Sequence, residues 1–226
     1  IEECNMTFEE IKVRKEIVEA LKEEGIVNPT SIQEKTIPLV KLGKDVVGIS
    51  RTGSGKTAAF GIPLIEGVEP GHGMQALVLA PTRELANQIS GEIKKWSKYL
   101  KIKVATVFGG VAIEPQARMI SQSEITVGTP GRILDHMGRG NLDLSKLRMF
   151  VLDEADKMVE MGFIEDIERV ISAMPEERQI ILFGATISGE IDYLKNKYMK
   201  NVEIAETELH VKKNLLEQDY YTVQHF

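Results

Sequence analysis

The sequence is poor in cysteine, in tryptophan and in long apolar runs, and it has no excess of positive charge. Cys4 is the only cysteine among 226 residues, which excludes an internal disulfide and a disulfide-held secreted scaffold, so a reducing compartment is expected. No apolar run approaches the roughly 20 residues that cross a bilayer. The opening Ile1-Glu2-Glu3-Cys4-Asn5 has neither the basic start nor the apolar stretch of a secretory signal. The expectation is a soluble intracellular protein without membrane contact. The four histidines stand far apart, without the spacing of a zinc site. Lys and Arg number 28 against 34 Asp and Glu, a formal net charge of −6. Taken alone, that balance weighs against nucleic acid, because phosphate binding is driven by basic residues.

What is present is a regular alternation. Short apolar runs at Asp45–Ser50, Ala76–Ala80, Lys103–Phe108, Ile125–Gly128, Met149–Leu152, Gln179–Phe183 and Val202–Ala205 read as strands. Most are apolar on both faces, and helical patterns separate them, as over Ile11–Glu24, Glu84–Leu100 and Phe163–Met174. This predicts an α/β three-layer sandwich with a mainly parallel central sheet. The expected organisation is one lobe over 1–205 and a polar, charge-mixed linker over 206–217. The final run at 218–226 reads as a strand with no partner, the truncated start of a second lobe in a longer polypeptide.

Two motifs carry chemistry. Gly48 to Thr57 follows a strand and opens a helix, the context of a phosphate loop. Glycines Gly53 and Gly55 let N–H groups of Thr52, Gly53, Ser54 and Gly55 turn toward phosphate oxygens; Lys56 reaches the terminal phosphates and the Thr57 hydroxyl suits Mg²⁺. Ser50 occupies the place of the motif's first glycine. Asp153-Glu154-Ala155-Asp156 follows the apolar strand Met149–Leu152, at the carboxyl end where open α/β sheets bind ligands. Asp153 is the candidate Mg²⁺ ligand, and Glu154 the base that polarises an attacking water.

Together with Pro81-Thr82-Arg83-Glu84-Leu85-Ala86, Gly109-Gly110, Thr129-Pro130-Gly131-Arg132 and the segment Gly25 to Gln33, these motifs resemble the DEAD-box ATP-dependent RNA helicases. The resemblance is to the first of that family's two RecA-like lobes, a P-loop NTPase fold, and covers nearly the whole chain. It implies that Gln33 reads adenine, since an amide offers a donor and an acceptor to the N6 and N7 edge, and that Phe8 stacks on the base. It implies backbone contact with single-stranded or duplex RNA, independent of base sequence, by Pro81, Thr82, Arg83, Gly109, Gly110, Thr129, Pro130, Gly131 and Arg132.

Asp156, Gly184, Ala185 and Thr186 resemble the elements that couple ATP state to strand separation. Gly184 stands where the family has Ser, deleting a hydroxyl expected to bond toward Asp156, at about 1 kcal/mol for one such bond. Arg51 stands where many members have Gln. The resemblance implies ATP and Mg²⁺ as cofactors, RNA and a second lobe of the same chain as partners, a monomer, and a place in the cytoplasm, or the nucleus in a eukaryote. The expected activity is RNA-dependent ATP hydrolysis driving local duplex unwinding or remodelling of RNA–protein complexes, with the isolated lobe nearly inactive. The competing expectation is a nucleotide-switched RNA clamp with little unwinding.

Overall fold

A computed structural model describes residues 6–51 and 53–207. Thr52, the segment 208–217 of the expected linker and the strand expected over 218–226 lie outside the described residues. Within them, the chain alternates helix and strand in the order α1 (Lys15–Glu23), α2 (Ser31–Lys41), β1 (Val46–Ile49), α3 (Lys56–Gly67), β2 (Ala76–Leu79), α4 (Arg83–Trp96), β3 (Val104–Val107), α5 (Ile113–Ile120), β4 (Ile125–Gly128), α6 (Pro130–Gly138), β5 (Met149–Leu152), α7 (Ala155–Glu160), α8 (Ile164–Ser172), β6 (Gln179–Gly184), α9 (Gly189–Tyr198) and β7 (Glu203–Glu206).

The seven strands form one sheet in the order β3-β4-β2-β5-β6-β1-β7, every pairing parallel. Parallel strands need crossover helices, which cover both faces and force the strands to be apolar throughout. The side-chain alternation divides the core in two. Val46, Val151, Ile181 and Phe183 join Phe8, Ile17, Leu21, Phe60, Ile89 and Trp96 on one face. Val47, Phe150, Leu152 and Leu182 join Ile167, Val170 and Leu194 on the other.

Element ends differ from the periodicity where local hydrogen bonding intervenes. Residues 8–12 are turns ahead of α1, with Lys12 at a positive φ of 59°, and the Arg14 N–H donates to Glu66 Oε1 at 2.6 Å. The expected helix to Leu100 closes at Trp96, where the Ser97 N–H bonds the Ile93 carbonyl before a run of turns. Glu206, taken with the linker from sequence, belongs to β7. Among the described residues, no helix is long and apolar enough to cross a membrane.

One close approach fixes the sheet beside the phosphate loop. A Cβ on Gly48 would lie 2.1 Å from the Phe183 ring, and that ring packs in turn on Phe60 with centroids 5.7 Å apart. Gly48→Ala is therefore expected to overpack the junction of β1 and β6, lowering unfolding stability by about 1–3 kcal/mol. Urea denaturation should read this as a lower midpoint with an unchanged slope.

Candidate functional site

The strand order sorts the sequence motifs along one edge of the sheet. The phosphate loop follows β1, the acidic motif follows β5, and β6, which lies between those strands, ends at Gly184. The Pro81, Gly109 and Thr129 segments follow β2, β3 and β4, which make up the adjoining half of the same sheet. Carboxyl ends of parallel strands are where such sheets bind ligands, because helix N-termini converge there.

The phosphate loop is built by left-handed glycines, Gly53 at φ 78° and Gly55 at φ 89°, the latter capping α3. A side chain at Gly55 is barred also by space, since its Cβ would meet Gln33 Nε2 at 2.3 Å. Gln33 and Thr30 clamp the loop from behind: Gln33 Nε2 donates to the Gly55 carbonyl at 2.9 Å, its Oε1 accepts from the Thr30 N–H at 3.0 Å, and Thr30 Oγ1 donates to the Ser54 carbonyl at 2.8 Å. Ser50 makes use of its departure from glycine. It is fully buried, and its hydroxyl accepts from Ser54 Oγ at 2.9 Å across the loop.

Lys56 and Asp153 are both buried, at 8% and 3% exposure, and both line a cleft of about 360 Å³ with Thr57, Gln33, Glu154 and Ile26. Burial pushes the Asp153 carboxyl up to about 6, against the opposing pull of the Lys56 charge. Its Oδ1 accepts the Glu154 N–H at 3.0 Å. Glu154 itself stands in the left-handed region at φ 52°, an unfavourable conformation for a side-chain-bearing residue. Its carboxylate is held by Lys157 Nζ at 2.8 Å.

The Asp156 carboxylate, expected to miss the hydroxyl absent at Gly184, is paired by backbone instead. Its Oδ2 accepts from the Ala185 N–H at 2.8 Å and the Thr186 N–H at 3.2 Å. A Cβ on Gly184 would sit 3.5 Å from Asp156 Oδ1 and 3.2 Å from the Thr186 carbonyl, so the site is close-fitting but does not depend on a serine there.

The base-stacking role assigned to Phe8 is corrected. Phe8 is 0% exposed within the core and presents no ring face to a ligand. The apolar wall of the cleft is Ile26, with Leu85 and Trp96 beyond it. Ile26 belongs to the Gly25–Gln33 segment recognised in the sequence, but an aliphatic side chain drew no attention beside a phenylalanine. Gln88 and Glu92, also lining the cleft, face it from α4, a placement that only the tertiary fold reveals.

On the neighbouring half of the edge, Thr82, Arg83, Gly109, Gly110 and Gly131 are exposed, whereas Pro81 and Pro130 are buried beneath them. Thr82 caps α4, its Oγ1 accepting from the Leu85 N–H at 3.2 Å. The Arg83 guanidinium lies 4.7 Å over the Phe108 ring rather than beside Glu84. Arg132 is drawn inward: Nη1 donates at 3.1 Å to both the Val111 carbonyl and Gln116 Oε1, with Asp135 Oδ2 3.8 Å from its Nε.

A model of the DEAD/DEAH box helicase family matches residues 30–194. The chain belongs to the DEAD/DEAH box helicase family. Over 219 residues it is 43% identical to the probable ATP-dependent RNA helicase MJ0669 of Methanocaldococcus jannaschii, covering 96% of this chain and 59% of that protein. It is 46% identical over 200 residues to the DEAD-box ATP-dependent RNA helicase CshA of Geobacillus kaustophilus, covering 88% of this chain and 43% of that one. Among solved structures, a DEAD box protein from the hyperthermophile Methanococcus jannaschii matches with a TM-score of 0.88 at 44% identity, over 90% of this chain and 56% of that one. The chain spans about half the length of the curated relatives it matches. The DEAD-box motifs thus sit on a RecA-like lobe, as the sequence resemblance implied.

The buried Asp153 of this DEAD-box lobe makes a sign-definite prediction for the nucleotide-free, Mg²⁺-free state. A carboxyl whose folded pKa is raised from 3.8 to about 6 adds stability below about pH 4 and loses it as pH rises through 6. Asn retains the acceptor for the Glu154 N–H and has no proton to lose. Asp153→Asn should therefore be more stable than the parent by roughly 2–3 kcal/mol at pH 8, with the advantage vanishing near pH 4, as read by urea unfolding across that range.

Proposed function

We propose that this chain is the ATP-binding lobe of an ATP-dependent RNA helicase, in which nucleotide and RNA occupy neighbouring halves of one sheet edge. The observation that carries the reading is this division. Lys56, Thr57, Asp153 and Glu154 line one cleft, while the segments after β2, β3 and β4 sit beside it. In this reading the N–H groups of residues 52–55 and the Lys56 ammonium bind the phosphates, and Ile26 lies along the adenine. Gln33, whose amide is engaged by Thr30 and Gly55, fixes the loop as well as reading the base.

The donors suit Mg²⁺. Asp153 and Thr57 offer hard oxygens, and among the described residues no group of three or more His, Cys, Asp or Glu forms a protein cage for a metal. That fits an ion taking most of its ligands from phosphates and water. When bound, the ion would neutralise phosphate charge; Asp153 and Thr57 would hold it. Glu154 then orients and deprotonates the attacking water once its carboxylate leaves Lys157. The chain's RNA contacts are to backbone and 2′-hydroxyls, through exposed N–H groups and the Thr82, Arg83 and Thr129 side chains.

The clamp reading rested on a weakened tie at Gly184. Asp156 keeps two backbone donors, and the relatives are named as RNA helicases, which supports strand separation as the outcome of turnover. The remainder of the activity is assigned to a second RecA-like lobe of the same polypeptide, supplying an arginine finger typically worth about 10³–10⁵ in rate. The cytoplasm is the proposed compartment and a monomer the proposed state.

Residues 1–226 alone should therefore hydrolyse ATP barely, with or without RNA, and robust RNA-stimulated turnover by this chain would remove the need for a second lobe. In the two-lobed polypeptide, Glu154→Gln should retain ATP affinity while hydrolysis falls by about two orders of magnitude or more. Turnover at the parental rate would take Glu154 out of its role.

A further inference from the structure

The Gly109-Gly110 and Thr129–Arg132 segments share a buried polar node that the nucleotide chemistry does not use. Gln116, on α5, is 3% exposed. Its Nε2 donates to the Phe108 carbonyl at 3.0 Å, immediately before Gly109-Gly110. Its Oε1 accepts twice, from Arg132 Nη1 at 3.1 Å and from His136 Nε2 at 3.2 Å. Arg132 Nη1 also donates to the Val111 carbonyl just past the glycines, and the Phe108 ring lies beneath the Arg83 guanidinium.

His136 is fully buried. Asn141 Nδ2 faces its Nδ1 at 3.4 Å, which requires Nδ1 to accept and puts the imidazole proton on Nε2, toward Gln116. Burial and the nearby Arg132 charge hold this imidazole below the usual histidine range, in keeping with the neutral tautomer. An aliphatic residue at 116 would fill the same space but leave the Arg132 and His136 donors unmatched, a costly arrangement away from water.

We propose that Gln116 is a positioning residue for RNA: its amide fixes the Gly109-Gly110 loop and the Arg132 guanidinium relative to each other, and so sets RNA affinity without acting on nucleotide. The inference rests on the RNA-binding reading above. It is tested in the two-lobed polypeptide by RNA-stimulated ATPase, with single-stranded oligouridylate as probe. Gln116→Leu should raise the KM for RNA about tenfold, the equivalent of one lost buried hydrogen bond. The KM for ATP and kcat at saturating RNA should stay at the parental values.

Because Gln116 acts in part by positioning Arg132, Gln116→Leu should cost less in an Arg132→Leu background than in the parent, whereas two factors that multiply in full would overturn the inference. Gln116→Glu keeps the oxygen that accepts from Arg132 but puts an oxygen in place of the Nε2 donor to the Phe108 carbonyl, so it should untie the Gly109-Gly110 loop and also raise the KM for RNA about tenfold. A KM for RNA at the parental value would overturn the assignment, and this arm decides should Gln116→Leu fail to fold. A parent that ignores RNA removes the functional reading and this inference with it. A responsive parent with an unaffected Gln116→Leu removes the inference alone.

Discussion

The end of β6 is tied on both sides, and the site depends on that double tie. On one side the Ser50 N–H donates to the Gly184 carbonyl at 3.1 Å; on the other, the N–H groups of Ala185 and Thr186 donate to Asp156. Strand β6 lies between β1 and β5 and pairs with both, so these bonds carry the sheet's alignment past the strand ends to the phosphate loop and the acidic motif. Close packing makes the arrangement stiff. Gly48 admits the Phe183 ring against the β1 backbone, and the Phe60 ring backs it. The phosphate loop, residues 184–186 and Asp156, three positions beyond Asp153, are thus joined by one run of hydrogen bonds. Two discrete packings of this junction would give nucleotide a way to bias the neighbouring half of the edge.

The same edge resolves the tension between net charge and an RNA partner. A charge of −6 describes the whole chain, but part of the acidic content is structural or chemical. Asp45 accepts the Ile180 and Lys200 N–H groups from within the sheet. Glu124 takes those of Gly71 and Lys103. Asp153, Glu154 and Asp156 belong to the nucleotide side. In the proposed reading the RNA side would rely on N–H groups, hydroxyls and a few guanidiniums, contacts that position a sugar–phosphate chain without a broad basic field.

Much of the fold was legible because the parallel sheet leaves a strong imprint. Strands buried on both faces read as continuous apolar runs, and β4 and β5 begin and end where the sequence placed them. The phosphate loop and the acidic tetrad were legible because the chemistry needs those residue types in that order. The remainder depended on tertiary contact. Phe8 looked like a stacking ring and is core, since an isolated aromatic ahead of a helix carries no mark of which way it faces. Gln116 and His136 carried no signal at all, because a buried amide and imidazole announce themselves only by their partners. Gly184 was legible as a missing hydroxyl, whereas the Ala185 and Thr186 N–H bonds to Asp156 depend on how the strand end is placed.

If nucleotide and RNA are read by one connected edge, each should strengthen the other's binding by the same factor. The direct measurement is the affinity of the two-lobed polypeptide for a non-hydrolysable ATP analogue with and without saturating single-stranded RNA, together with the affinity for RNA with and without the analogue. The predicted result is a matching increase in both affinities. Equal affinities in the presence and absence of the other ligand would contradict it.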